Sequence, residues 1–130
     1  MKIIVAYKGT NVGRALLDIA VKHANAFNGS ICIVSSLPGG ESTELKAIQE
    51  AGKNLDKAKE YIKEQGIDSE VHLLIRGLEP GEDILKFAEQ NKADEIIIGV
   101  KSRSKVGKLV FGSNAQTVIL GAHCPVLAVK

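Results

Sequence analysis

Five short apolar runs alternate with four stretches of helical periodicity along this chain, and that alternation restricts its fold more than any other feature. Lys2–Tyr7 (KIIVAY) is continuous rather than alternating in polarity, as expected of a strand covered on both faces. Gly9-Thr10-Asn11 then breaks the run and offers helix caps. Val12, Leu16, Ile19, Ala20, His23, Ala24 and Phe27 follow at helical spacing, and Asn28-Gly29 closes that helix. Ser30–Ser36 reads as a second strand and Leu37–Gly40 (LPGG) as a turn. A largely charged helix carries Leu45, Ile48, Leu55 and Ile62 as one stripe and ends at Gln65-Gly66. Ser69–Arg76 is the third strand. Pro80 opens a third helix to about Asn91, with Ile84, Leu85 and Ala88 turned inward and Glu82 and Asp83 suited to its positive end. Asp94–Gly99 is the fourth strand, Ser113–Gly121 a short helix and Pro125–Val129 the last strand.

Strands joined through helices of this length imply right-handed crossovers, a parallel sheet and helices on both of its faces. The ligand crevice of such a fold lies beyond the carboxyl ends of the strands, where the winding reverses. Those ends are Tyr7–Thr10, Ser35–Leu37, Arg76–Gly77 and Gly99–Ser102. No internal repeat, low-complexity tract or linker interrupts the pattern, so residues 1–130 are expected to form one domain.

Composition narrows the function. The formal net charge is only +2, so no global field points to nucleic acid or to an acidic membrane. Aromatic residues are few, which leaves no base-stacking platform. No run approaches a membrane span, and the first apolar run is too short for a secretory signal. Cys32 and Cys124 stand far apart, form no metal spacing and read as small buried hydrophobes in a reducing cytoplasm.

The catalytic templates fail. The dinucleotide fingerprint after the first strand is absent, as are GxSxG, HExxH and calcium-loop patterns. Gly107-Lys108 only partly matches a Walker loop, with Ser102 at the first glycine and Leu109 at the hydroxyl position. His23, His72 and His123 are scattered and suit structural or surface roles. Glu79, Glu82 and Asp83 fit a helix start better than an acid–base pair. With no nucleophile, general base or metal cage in view, the sequence argues for binding more than for rapid chemistry.

One segment does carry chemistry. Gly99–Ser113 (GVKSRSKVGKLVFGS) runs from a strand end, through a basic glycine-containing loop, into a helix start. Free backbone N–H groups, a helix N-terminus and Lys101, Arg103, Lys105 and Lys108 all favour an anion there. For each basic residue the plain alternative is a solvated loop.

The same segment resembles the Gly-x2-Gly-x9-Gly-Ser/Thr motif of the universal stress protein family, with Ser102 at the second glycine and Gly112-Ser113 closing it. IIVAYKGT resembles that family's first strand and turn, RGLEPGEDILKFAEQNKADEIIIG its third strand exit through fourth strand, and AHCPVLAV its closing strand. The resemblance implies an open five-stranded parallel sheet in the order 3-2-1-4-5, similar to the adenine nucleotide alpha hydrolases. It also implies a cytoplasmic stress-response protein with ATP or AMP as a regulatory ligand and Mg carried on the phosphates. A homodimer through the last strand, Val126, Leu127, Ala128 and Val129, is implied as well. Carried over position by position, the phosphates meet Gly99, Ser102, Gly112, Ser113 and Asn114. Ala6 and Lys8 stand at the adenine and ribose edge, Ser36 near the adenine, and Ile98 and Val100 beside the base or sugar. Two departures stand out. Lys8 replaces an aspartate that can accept ribose hydroxyls, and lysine has only donors. Ser102 adds a Cβ where glycine allows close approach. These departures motivate a competing expectation, a dimeric interaction module of the same fold that binds no nucleotide.

Overall fold

The computed structural model describes residues 1–9, 11–40, 43–100 and 112–130, with side chains from Gly13 onward in the first helix. The order of elements is β1 (Lys2–Ala6), α1 (Asn11–Phe27), β2 (Ser30–Leu37), α2 (Leu45–Glu64), β3 (Ser69–Ile75), α3 (Pro80–Gln90), β4 (Glu95–Gly99), α4 (Ser113–Gly121) and β5 (Val126–Val129). Each matches a sequence expectation to within a residue or two at its ends. Thr10, Ser102 and the basic residues Lys101, Arg103, Lys105 and Lys108 lie outside the described residues.

All strand pairings are parallel, and the sheet order is β3-β2-β1-β4-β5. The central strand β1 pairs Ala6 with Val34 of β2 on one side and with Ile98 of β4 on the other. The chain winds outward from β1 to β3, returns to the centre, and winds out the other way through β4 and β5. The reversal therefore falls between β1 and β4, and it opens a crevice beyond their carboxyl ends.

Two hydrophobic layers follow from the two-residue period of the strands. Ile3, Val5, Ile31, Ile33 and Ile97 face Leu16, Leu17 and Ala20 of α1 and Leu55, Ala58 and Ile62 of α2. Ile4, Ala6, Cys32, Val34, Ile96 and Ile98 face Ile84, Phe87 and Ala88 of α3 and Ala115 and Val118 of α4. Burial on both faces is why the strands read as continuous apolar runs.

Three expectations are corrected. Leu45, placed in the buried stripe of α2, is 69% exposed at the first helical position, and burial in this helix falls on Leu55, Ala58 and Ile62. Leu85 is only half-buried, and Phe87 takes the inward place beside Ile84 and Ala88. Cys124 is half-buried rather than buried, because it precedes the edge strand β5. Asp83 lies in the first turn of α3, as expected, and is in addition completely buried.

Candidate functional site

A cavity of about 790 Å³ occupies the crevice at the carboxyl ends of the strands. That is within the usual range for small-molecule sites. Nine of the ten sequence-nominated positions line it: Ala6, Lys8, Ser36, Ile98, Gly99, Val100, Gly112, Ser113 and Asn114. The tenth, Ser102, lies outside the described residues. Residues separated by more than a hundred positions meet here because three parallel strands end together and α4 starts above them.

The floor is apolar. Ala6, Ile98 and Val100 are buried, and the Val100 N–H donates to the Val129 carbonyl at 2.8 Å, carrying the β4–β5 pairing past the end of β4. Tyr7 continues β1 with its N–H on the Val34 carbonyl at 2.9 Å. The Ser35 hydroxyl donates back to the Tyr7 carbonyl at 2.6 Å, which ties the two strand ends together.

Polar groups converge from the rim. Gly112 caps the start of α4, its φ of −66° and ψ of 159° placing it just outside the helix, and the first ladder bond runs from Gln116 N–H to the Gly112 carbonyl at 3.0 Å. The N–H groups of Ser113, Asn114 and Ala115 therefore lie ahead of the intrahelical ladder, at the positive end of the helix dipole. All three residues line the cavity. The side chain of Asn114 is already engaged, since its Oδ1 accepts the Gly81 N–H at 2.9 Å. That bond satisfies a first-turn donor of α3 and commits the Asn114 Oδ1, so Asn114 meets a ligand as a donor, from Nδ2 or its backbone N–H. Gly81 permits the approach: a Cβ there would stand 2.9 Å from the Asn114 carbonyl oxygen.

On the opposite rim, the Ser36 hydroxyl donates to Asp83 Oδ2 at 2.7 Å. Its proton is thereby committed, so toward the crevice it lines the Ser36 hydroxyl can only accept. Asp83 in turn receives Arg76 Nε on Oδ1 at 2.6 Å, and its carbonyl receives Arg76 Nη2 at 3.2 Å. The dipole reading of Asp83 is thus incomplete: Ser36 of β2 and Arg76, just past β3, clamp this carboxylate behind the crevice wall.

Tyr7 and Gly9, which the sequence placed at a strand end without a binding role, also line the cavity, as do Glu50 and Asn54, which it did not nominate. Burial pushes the Tyr7 phenol above its ordinary range, against the smaller opposing pull of Arg14, so it stays a neutral hydroxyl at physiological pH. Glu50 and Asn54 come from α2, whose charged surface gave no sign of its approach. Gly9 was the available signal. Its φ is +73°, and a Cβ there would lie 2.5 Å from Asn54 Nδ2.

An all-parallel, doubly wound sheet with a polar-rimmed crevice at its reversal puts the chain in the class of open α/β proteins whose small-ligand sites lie at that crevice. Residues 1–130 match the universal stress protein family, and the chain belongs to that family. A universal stress protein structure from Archaeoglobus fulgidus superimposes with a TM-score of 0.91 at 39% identity, covering 99% of this chain and 97% of the other. A second structure from that organism, in complex with dAMP, has a TM-score of 0.85 at 35% identity, covering 99% and 96%. A universal stress protein of Methanocaldococcus jannaschii is 31% identical over 140 residues, covering 99% of this chain and 81% of its own length. No helix among the described residues is long and apolar enough to cross a membrane.

Proposed function

We propose that this protein binds an adenine nucleotide, ATP or AMP, as a regulatory ligand in the crevice between β1 and β4. The observation that carries the reading is the convergence of β1, β2, β4 and the first turn of α4 on one cavity. The phosphates sit at the N-terminus of α4, where the N–H groups of Ser113 and Asn114 and the Ser113 hydroxyl are donors. The base lies toward the apolar floor of Ala6, Ile98 and Val100, with the Ser36 oxygen free to accept from an amino group such as that of adenine. The dAMP complex of the 35%-identical relative supports this ligand class.

Lys8 changes the detail. An exposed ammonium on the rim donates to phosphate and accepts nothing from ribose. Acceptors for ribose come instead from α2, through Glu50 or Asn54. Glu50 is the single carboxylate among the described lining residues, so Mg2+ arrives on the phosphates rather than in a protein cage.

The reading includes a cytoplasmic homodimer. β5 is an edge strand with Val126, Leu127 and Val129 half-buried and Ala128 exposed, and Leu120 of α4 is 85% exposed. Pairing two copies of β5 covers an apolar edge that is otherwise a liability. Calorimetric titration of the nucleotide-free protein tests the ligand. Saturable binding of ATP or AMP that Gly112→Val abolishes is expected. No binding at millimolar nucleotide overturns the assignment in favour of an interaction module that needs no nucleotide.

A further inference from the structure

Away from the crevice, the fold brings together three metal-ligating groups that the sequence keeps apart. Cys32 is the third residue of β2, and the register sets it opposite Glu70 of β3. His72 follows Glu70 by two residues and therefore shares its face of the sheet. The thiol sulfur, a Glu70 carboxylate oxygen and a His72 ring nitrogen all lie within 4.8 Å of one another. We infer that Cys32, Glu70 and His72 form a binding site for a borderline-soft divalent cation of the Zn2+ type at the β2–β3 edge of the sheet.

The donor set and the spacing carry the inference. Thiolate, imidazole and carboxylate are the three ligand classes of zinc, and three protein ligands leave a fourth, solvent-facing position for water. Tetrahedral bonds of zinc length put nitrogen and oxygen ligands about 3.4 Å apart. His72 Nε2 and Glu70 Oε2 already stand at 3.3 Å. The sulfur lies within 4.8 Å of both atoms, so zinc geometry needs at most about 1.3 Å of closure, and both His72 and Glu70, 40% and 71% exposed on an edge strand, have room to supply it.

The surroundings fit a cation that arrives from solvent. A second cavity, of about 300 Å³, opens at the amino ends of the strands and is lined by Cys32, Glu70, Asp68 and Lys2. Asp68 adds negative charge there and Lys2 opposes it. The His72 ring packs on Phe87 of α3 with centroids 5.0 Å apart, which limits its freedom. The site is separate from the nucleotide crevice, since Cys32 and Ser36 are roughly 13 Å apart along β2. It does not depend on nucleotide binding.

The test uses the whole chain, stripped with chelator and free of nucleotide, titrated with Zn2+ by calorimetry and with Co2+ by absorption. One ion per chain is expected, with a sulfur-to-cobalt charge-transfer band in the near ultraviolet. Cys32→Ser removes the band, and His72→Gln weakens affinity by at least about tenfold, since even groups behind a ligand carry that much. Cys124→Ser leaves both ions bound as before. His72→Gln, at a half-exposed edge position, keeps the test valid if Cys32→Ser fails to fold. Absence of binding at about 100 µM metal, a cobalt complex without the sulfur band, or binding unchanged in His72→Gln overturns the site.

Discussion

Removing Arg76 is the sharpest probe of how this crevice is held. Asp83 is completely buried, yet both its oxygens are engaged: Oδ2 by Ser36 at 2.7 Å and Oδ1 by Arg76 at 2.6 Å. Arg76→Met keeps the length of the side chain and deletes the charge. The carboxylate is then left buried with one hydroxyl partner. Orphaning a buried charge typically costs about 3–5 kcal/mol. The Arg76 side chain is 34% exposed, so water enters the vacated space and brings the expected loss to about 2–3 kcal/mol. For a chain of this length that is a fall in Tm of about 6–15 °C. Asp83→Asn costs less, about 1–2 kcal/mol, because the released guanidinium can turn to water. The double variant Arg76→Met with Asp83→Asn should therefore be more stable than Arg76→Met alone, since no charge is left orphaned. Urea unfolding followed by circular dichroism measures all four proteins in one cycle. If Arg76→Met loses less than about 0.5 kcal/mol, or the double variant is the least stable of the four, the clamp does not hold the crevice as argued.

Three further outcomes follow from the same geometry. Gly9→Ala forces a side chain into a φ of +73° and onto Asn54, and should lower stability by about 1–2 kcal/mol and weaken nucleotide binding, read by thermal melts and calorimetry. Gly81→Ala presses a Cβ on the Asn114 carbonyl and separates α3 from α4; nucleotide affinity should fall more than in Gly52→Ala, where a Cβ meets nothing within 4 Å. Cys32 gives a pH signature in chelator. Burial first, and Glu70 second, push its thiol from 9.0 up to about 11, so between those values the unfolded chain has lost the proton that the folded chain keeps. Stability should fall with rising pH across that window, and more steeply than in Cys32→Ala.

Helices and strands were legible because each element here is buried on a fixed side: Ile3 and Ile4, or Ile96 and Ile97, face opposite layers and are fully buried. The crevice was legible because its ligand-facing groups cluster at strand ends, and those ends are marked by the loss of apolar residues at Tyr7, Ser35 and Gly99. Asp83 was not legible. A carboxylate three residues into a helix has the same local appearance whether it faces solvent or a guanidinium on another strand, and the partner, Arg76, sits just past β3. Cys32, Glu70 and His72 escaped for a related reason. Ligand spacing in a sequence reveals a site only when one loop or one helix supplies it, whereas here the register of two parallel strands does. Sequence patterns report what an element turns toward the core. They do not report which polar group on a neighbouring element meets it, and both the clamp and the metal cluster are made of such meetings.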